Sequence, residues 1–353
     1  MDERLGRFDE AWFTGVLRDG GHCEAAVTAA VAEPVAVAGA VAEMARYRLS
    51  YDASGRQGPA TLIAKIRGAD GMRLGLDQAM GLYEREAHFY ARFSDRVPVR
   101  TPRLYHVGDG TTTPLLLEDL GGLRAGDQMQ GLAGADAERL MDVLGDLHAQ
   151  YWEAPALAES WIVRPAVGLF AGMVAQLVQS GVETLRERFR GRVPDGVLAA
   201  ATEAAPRWGE VLRLCAEGPQ TLVHNDCRLD NVFFADDGTP VLIDWQIPAC
   251  TRGTQDVANL LAGSMASETL EDGWRPLLRR YHDRLCSRGV DGYGWEECVE
   301  HYRQSVLFPL GAGIALLGSM DIGDGRGLGD AIVLRTLRHA DQLDSFATLG
   351  AVR

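Results

Sequence analysis

Apolar side chains recur at every second position over residues 46–51. Tyr47, Leu49 and Tyr51 alternate with Arg46, Arg48 and Ser50, the pattern of a half-buried strand. Ser54-Gly55-Arg56-Gln57-Gly58-Pro59 turns the chain into a second, more continuously apolar run, Thr61-Leu62-Ile63-Ala64-Lys65-Ile66. Residues 104–107 and 115–117 supply further strands, so a small antiparallel sheet is expected. A leading helix is predicted over 10–18 and another over 78–93, with Leu82, Phe89 and Phe93 as its apolar positions. Beyond Gly122 the period becomes helical, with helices predicted over 137–152, 177–188, 198–214, 274–284, 295–317 and 331–346. One β-prone unit interrupts them. Thr221-Leu222-Val223 reads as a strand, Asn231-Val232-Phe233-Phe234 as another, Asp236-Asp237-Gly238 as a tight turn, and Val241-Leu242-Ile243 as the returning strand. The pattern predicts an α+β protein in two parts: a sheet-containing region over 1–120 and a mainly helical one over 121–353.

The interrupting unit carries the chemistry. His224-Asn225-Asp226-Cys227-Arg228-Leu229-Asp230-Asn231 is followed by Leu242-Ile243-Asp244-Trp245. An aspartate, an asparagine five positions on and a second aspartate thirteen positions further bracket a predicted hairpin. Kinase-type phosphoryl transfer needs such a set: one carboxylate facing the acceptor hydroxyl, and an amide oxygen and a second carboxylate for Mg²⁺. Asp and Asn also mark ordinary turns; the whole pattern on one hairpin is what favours chemistry.

Composition adds a second signal. Of 35 lysine and arginine side chains, a single one, Lys65, is lysine. A coding bias explains the general depletion but not the position of the survivor, inside a run that reads as a buried strand. A buried ammonium needs a partner. A strand lysine that contacts nucleotide phosphates and pairs with a glutamate of the next helix fits, and Glu86 is the expected partner, with Glu84 on the solvated face. Arginine, a broad planar fork, substitutes poorly for so compact a charge. Lys65 lies between Ala64 and Ile66, so no Gly-Lys-Ser/Thr phosphate loop exists. No Gly-x-Gly-x-x-Gly sits at a strand-to-helix junction, and no His-Glu-x-x-His or Gly-x-Ser-x-Gly occurs. Upstream, residues 37–42 with Gly39 are a weak candidate for a strand-turn-strand covering the phosphates. Glu118-Asp119-Leu120-Gly121-Gly122 resembles a hinge whose backbone at Glu118 and Leu120 receives adenine.

A net charge of −14 argues against nucleic-acid and anionic-membrane partners. Residues 1–120 carry 14 basic and 17 acidic side chains, residues 121–353 carry 21 and 32. The excess serves solubility, and it leans towards a cationic substrate on the second part. The six cysteines form no Cys-x-x-Cys pair and read as reduced thiols. The opening Met1-Asp2-Glu3-Arg4 has no apolar signal segment, and the apolar run over 306–320 is too short to span a bilayer, so a cytoplasmic protein is expected. His148 and the tryptophans Trp152, Trp161, Trp274 and Trp295 read as core residues.

Together these residues resemble the aminoglycoside phosphotransferase and choline-kinase-like superfamily, and within it the ecdysteroid-kinase-like (CHK) branch. The blocks that carry the resemblance are the Lys65 strand, Glu86-Ala87-His88-Phe89-Tyr90, Leu116-Leu117-Glu118-Asp119-Leu120, and the catalytic block ending in Ile243-Asp244-Trp245-Gln246. Leu147-His148-Ala149 with Trp152, and Asp256-Val257-Ala258, fit the same branch. The resemblance implies a bilobal protein-kinase-like fold. It implies Asp226 as catalytic base, His224 orienting its loop, Asp256 bracing that loop, Asn231 and Asp244 as Mg²⁺ ligands, and Lys65 holding ATP phosphates against Glu86. Asn225 departs from the superfamily's usual glycine, and Gln246 from the acidic or glycine residue common after the second aspartate.

The expected protein is an ATP- and Mg²⁺-dependent phosphotransferase, with GTP an alternative donor, acting on a hydroxyl of a small molecule, as a monomer or homodimer. Only eleven residues separate Asp244 from Asp256, too few for a protein kinase's activation segment. A non-catalytic nucleotide-binding module is the rival of a different class. A resistance kinase acting on an aminoglycoside or other natural product, a sterol-like alcohol, an amino sugar and a choline-like alcohol all remain open as acceptors. Its pocket is expected after Gly122, near Asp321, Asp324 and Trp274.

Overall fold

The structure is a computed structural model that describes residues 3–35, 42–318 and 327–350. Gly39, Asp321 and Asp324 therefore lie outside the described residues. The chain forms two compact units: Met1–Val97 with Thr101–Arg124 and Ile243–Gln246, and Pro98–Arg100 with Ala125–Leu242 and Ile247–Arg353.

In the first unit, helix α1 (Glu10–Asp19) is capped by the Asp9 carboxylate, which accepts from the Trp12 N–H at 2.8 Å, and it buries Phe13 and Leu17. Strands β1 (Val27–Pro34), β2 (Ala42–Tyr51) and β3 (Thr61–Arg67) follow. Helices α2 (Gly71–Met80) and α3 (Leu82–Arg92) come next, then β4 (Leu104–His106) and β5 (Leu115–Glu118). The sheet is antiparallel in the order β1-β2-β3-β5-β4. Its period-two pattern has the expected consequence: Tyr47 and Leu49 are buried with Phe13, Leu17, Leu62, Ala64, Ile66 and Leu116 in one core, while Arg48 between them is exposed. The register sets Lys65 opposite Met44 on one side and Leu115 on the other. The single helix predicted over 78–93 is instead two. Gly81 takes a left-handed φ of 63°, which ends α2, and the Asp77 carboxylate then accepts the Tyr83 N–H at 2.7 Å to start α3.

Strand β6 (Arg124–Ala125) precedes the remaining elements. The second unit holds α4 (Gly134–Gln150), α5 (Gly168–Phe189), α6 (Asp195–Ala204) and α7 (Trp208–Cys215). Strands β7 (Thr221–Val223), β8 (Val232–Phe234), β9 (Pro240–Leu242) and β10 (Ala249–Thr251) come next. Helices α8 (Thr254–Ser264), α9 (Ser267–Ser287), α10 (Trp295–Ser305), α11 (Leu307–Gly318) and α12 (Leu328–Gln342) complete it. Two predicted helices are divided. Pro206 falls in a 3₁₀ turn, Ala205–Arg207, between α6 and α7. Pro309 lacks an N–H and its ring crowds the carbonyl four residues back, at Ser305, where α10 ends. The hairpin is shorter than predicted: Val232 pairs with Leu242, Asn231 lies in a 3₁₀ turn, Leu229–Asn231, and Ile243 falls outside β9. Trp274, expected near an acceptor pocket, is buried against Tyr302, with ring centroids 5.7 Å apart. Among the described residues no helix is long and apolar enough to cross a membrane.

Candidate active site

Two clusters carry the residues singled out by the sequence, one in each unit. The first is built on β3. Lys65 is 5% exposed, its Nζ 2.7 Å from Glu86 Oε2 of α3 and 2.9 Å from Asp244 Oδ1. Glu84 points away and meets Arg67 at the surface. Burial alone would lower the Lys65 pKa, but the Asp244 and Glu86 carboxylates outweigh it and hold the ammonium above its ordinary value. Glu86 is pushed up by burial, the Lys65 charge opposing and the Asp244 charge adding. One buried cation thus serves two carboxylates, and removing it would leave both uncompensated, a cost of about 3–5 kcal/mol. Asp244 keeps 30% of its side chain exposed and adopts a left-handed φ of 63°, which aspartate tolerates better than most residues. The next residue, Trp245, stacks on Phe89 of α3 at 4.0 Å and 5° between planes, both rings fully buried. The residue after it, Gln246, hydrogen-bonds Glu86. Trp245 and Gln246 therefore fasten the segment carrying Asp244 to the helix carrying Glu86.

At the proposed hinge, Glu118 closes β5: its N–H donates to the Arg103 carbonyl at 2.9 Å, and its carboxylate accepts the Arg103 N–H at 3.1 Å. Asp119 takes a two-pronged pair from Arg46, at 2.7 and 3.0 Å. Leu120 is buried, and its carbonyl accepts from the Leu123 N–H.

The second cluster is the loop that β7 delivers. Asp256 of α8, fully buried, accepts the His224 N–H at 2.7 Å on one carboxylate oxygen and the Asn225 N–H at 2.8 Å on the other. His148 Nε2 lies 3.4 Å from the same Asp256, and its Nδ1 meets the Tyr281 hydroxyl at 2.9 Å. Asn225 has a φ of 70°, which explains glycine's usual presence there and asparagine's acceptability. Its side-chain oxygen accepts from Gln255, and its carbonyl accepts from Asn259. His224, also fully buried, receives the Asp226 N–H on Nδ1 at 3.3 Å. Asp226 keeps 34% of its side chain exposed. The Asn231 amide nitrogen donates to both the Asp226 carboxylate and its carbonyl, each at 2.9 Å, so the side-chain oxygen is the atom not engaged with Asp226. Arg228 Nε sits 3.4 Å from the Asp226 carboxylate. Cys227 is buried, its thiol pushed up by burial, a packing residue.

Asp244 and Asn231 both offer hard oxygens, the donors Mg²⁺ prefers. Among the described residues no group of three or more His, Cys, Asp or Glu side chains gathers to hold a metal. Few protein ligands suit an ion that draws its remaining oxygens from phosphates and water. Arg228, Tyr281 and the Gln128 side chain are residues around the site that sequence reasoning missed. Arg228 stood within the motif, as did Gln246, whose bond to Glu86 the motif did not disclose; no pattern pointed to Tyr281 or Gln128.

The fold is that of the kinase-like phosphotransferases. Ethanolamine kinase from Plasmodium vivax is similar at 13% identity, with 87% of this chain and 82% of that one covered and a TM-score of 0.53. A choline/ethanolamine kinase family protein from Mesorhizobium loti is similar at 15% identity, 90% and 92% coverage and a TM-score of 0.50. Choline kinase from Cryptosporidium parvum Iowa II is similar at 10% identity, 97% and 96% coverage and a TM-score of 0.50. The model of the ecdysteroid kinase-like family matches residues 37–288, and the chain belongs to that family. No curated protein matches the chain. Family and fold together indicate a small-molecule phosphotransferase.

Proposed function

We propose that the chain transfers the γ-phosphate of ATP, with Mg²⁺, to a hydroxyl of a small molecule. The observation that carries this reading is the buried Lys65 ammonium, pinned by Glu86 and Asp244 while Asp244 stays partly open. An ammonium so fixed suits the α/β-phosphates of a nucleotide. Asp226, held by the Asn231 amide and carried on a loop clamped by Asp256, would accept the acceptor's hydroxyl proton. Asn231 and Asp244 would hold Mg²⁺, which when bound neutralises phosphate charge. The backbone of Glu118 and Leu120 would receive adenine. Most of the rate gain would come from positioning and electrostatics.

The test is an acceptor screen with MgATP, read by ADP release and confirmed by ³¹P NMR of a phosphomonoester, with GTP in parallel. ADP formation that depends on Mg²⁺ and on a hydroxyl compound is the expected result. MgATP binding without transfer to any acceptor would point instead to a nucleotide-binding module.

A further inference from the structure

Gln128 is polar, fully buried and outside every motif. Its side-chain oxygen accepts the Leu229 N–H at 2.8 Å and the Ser264 hydroxyl at 2.9 Å, and its side-chain nitrogen donates to the Gly263 carbonyl at 2.6 Å. Its backbone N–H donates to the Asp230 carboxylate at 2.8 Å. Both acceptor positions of the amide oxygen are thus used. Turning the amide over would set N–H against the Leu229 N–H, so its orientation is fixed. The stretch around it grips the loop as well. The Gly126 N–H donates to the Val232 carbonyl at 2.8 Å, and a Cβ at Gly126 would collide with the Leu229 carbonyl. Arg335 of α12 holds this stretch by its carbonyls, reaching Gln128 at 2.6 Å and Met129 at 3.1 Å.

The residues so gripped, Leu229 and Asp230, form the 3₁₀ turn that ends in Asn231. Asn231 in turn fixes the Asp226 carboxylate. We propose that Gln128 is a positioning residue that sets the aim of Asn231 by holding the Leu229 N–H and the Asp230 carboxylate against the end of α8. The inference rests on the reading of Asn231 as a metal ligand. Without the amide, the buried Leu229 N–H is orphaned and the turn relaxes.

The test uses the full chain with ATP and Mn²⁺ as the paramagnetic probe, its binding followed by electron paramagnetic resonance, with melting temperature recorded for each variant. Gln128→Met is expected to weaken Mn²⁺ binding in the presence of ATP by about tenfold, the scale of losing a group that orients a ligand. Ser264→Ala loosens the same amide from the helix side only, leaving its bonds to the Leu229 N–H and the Gly263 carbonyl, and is expected to lower the melting temperature while weakening Mn²⁺ less than Gln128→Met does. Should Gln128→Met fail to fold, Arg335→Met, at a half-buried position, carries the test and is expected to weaken Mn²⁺ in the same direction. Unchanged Mn²⁺ affinity in a folded Gln128→Met, or equal weakening in Ser264→Ala, overturns the positioning role alone. A wild-type chain that binds ATP but no Mn²⁺ removes the metal reading and this inference with it.

Discussion

At the scale of single residues, Lys65 shows how charge, burial and composition combine. A cation in a strand core is tolerable only with close countercharges, and the fold supplies two, at 2.7 and 2.9 Å. Lys65→Arg keeps the charge but not its shape. A guanidinium cannot meet Glu86 and Asp244 from the space of an ammonium, so ATP affinity is expected to fall about tenfold or more, measured by calorimetric titration. Asp256 offers a second case. Both its oxygens receive buried backbone N–H groups of the loop that carries Asp226. Asp256→Asn turns one acceptor into a donor facing an N–H. The expected loss is about 1–3 kcal/mol of stability in urea unfolding, with reduced turnover because the loop carrying Asp226 shifts.

At the scale of elements, what the sequence discloses depends on how local the cause is. The alternation of Arg46 to Tyr51 yields β2, and the Asp-Asp-Gly turn yields the β8–β9 hairpin, because both signals sit in consecutive residues. The Lys65–Glu86 pair is legible because a lone lysine in a strand demands a partner on the next helix. Helix breaks are less legible: Gly81, Pro206 and Pro309 lie within continuous apolar patterns, and the pattern hides the break that the backbone enforces. Gln128 and Tyr281 are not legible at all, since Gln128 meets Leu229 across 101 residues and Tyr281 meets His148 across 133. Their roles exist only after folding. The Phe89–Trp245 stack belongs to this scale too, as it joins α3 to the Asp244 segment. Phe89→Ala is expected to cost about 3–5 kcal/mol and to loosen the Glu86–Lys65 pair, seen as lower melting temperature together with weaker ATP binding.

At the scale of the whole molecule, two histidines, the half-buried His301 and the buried His339, contribute to acid sensitivity. Burial drives His301 and His339 down to about 4 from an ordinary 6.5. His339 lies between the Tyr302 hydroxyl and the Gln342 side-chain oxygen, at 2.9 Å from each. Because the folded pKa is below the unfolded one, the unfolded chain binds protons that the folded chain refuses. Their contribution to stability is complete above pH 6.5 and is lost as pH falls towards 4. Melting temperature should therefore drop across that window, and His339→Gln should flatten the drop. An unchanged slope in the variant would assign the acid sensitivity elsewhere.

Transfer of labelled phosphate from [γ-³²P]ATP to the acceptor found by the screen, compared between wild type and Asp226→Asn, tests the central claim most directly. The account predicts metal-dependent labelling by the wild type, a loss of about 10²–10⁴-fold in the variant, and ATP binding that barely changes. Equal labelling by Asp226→Asn would contradict it.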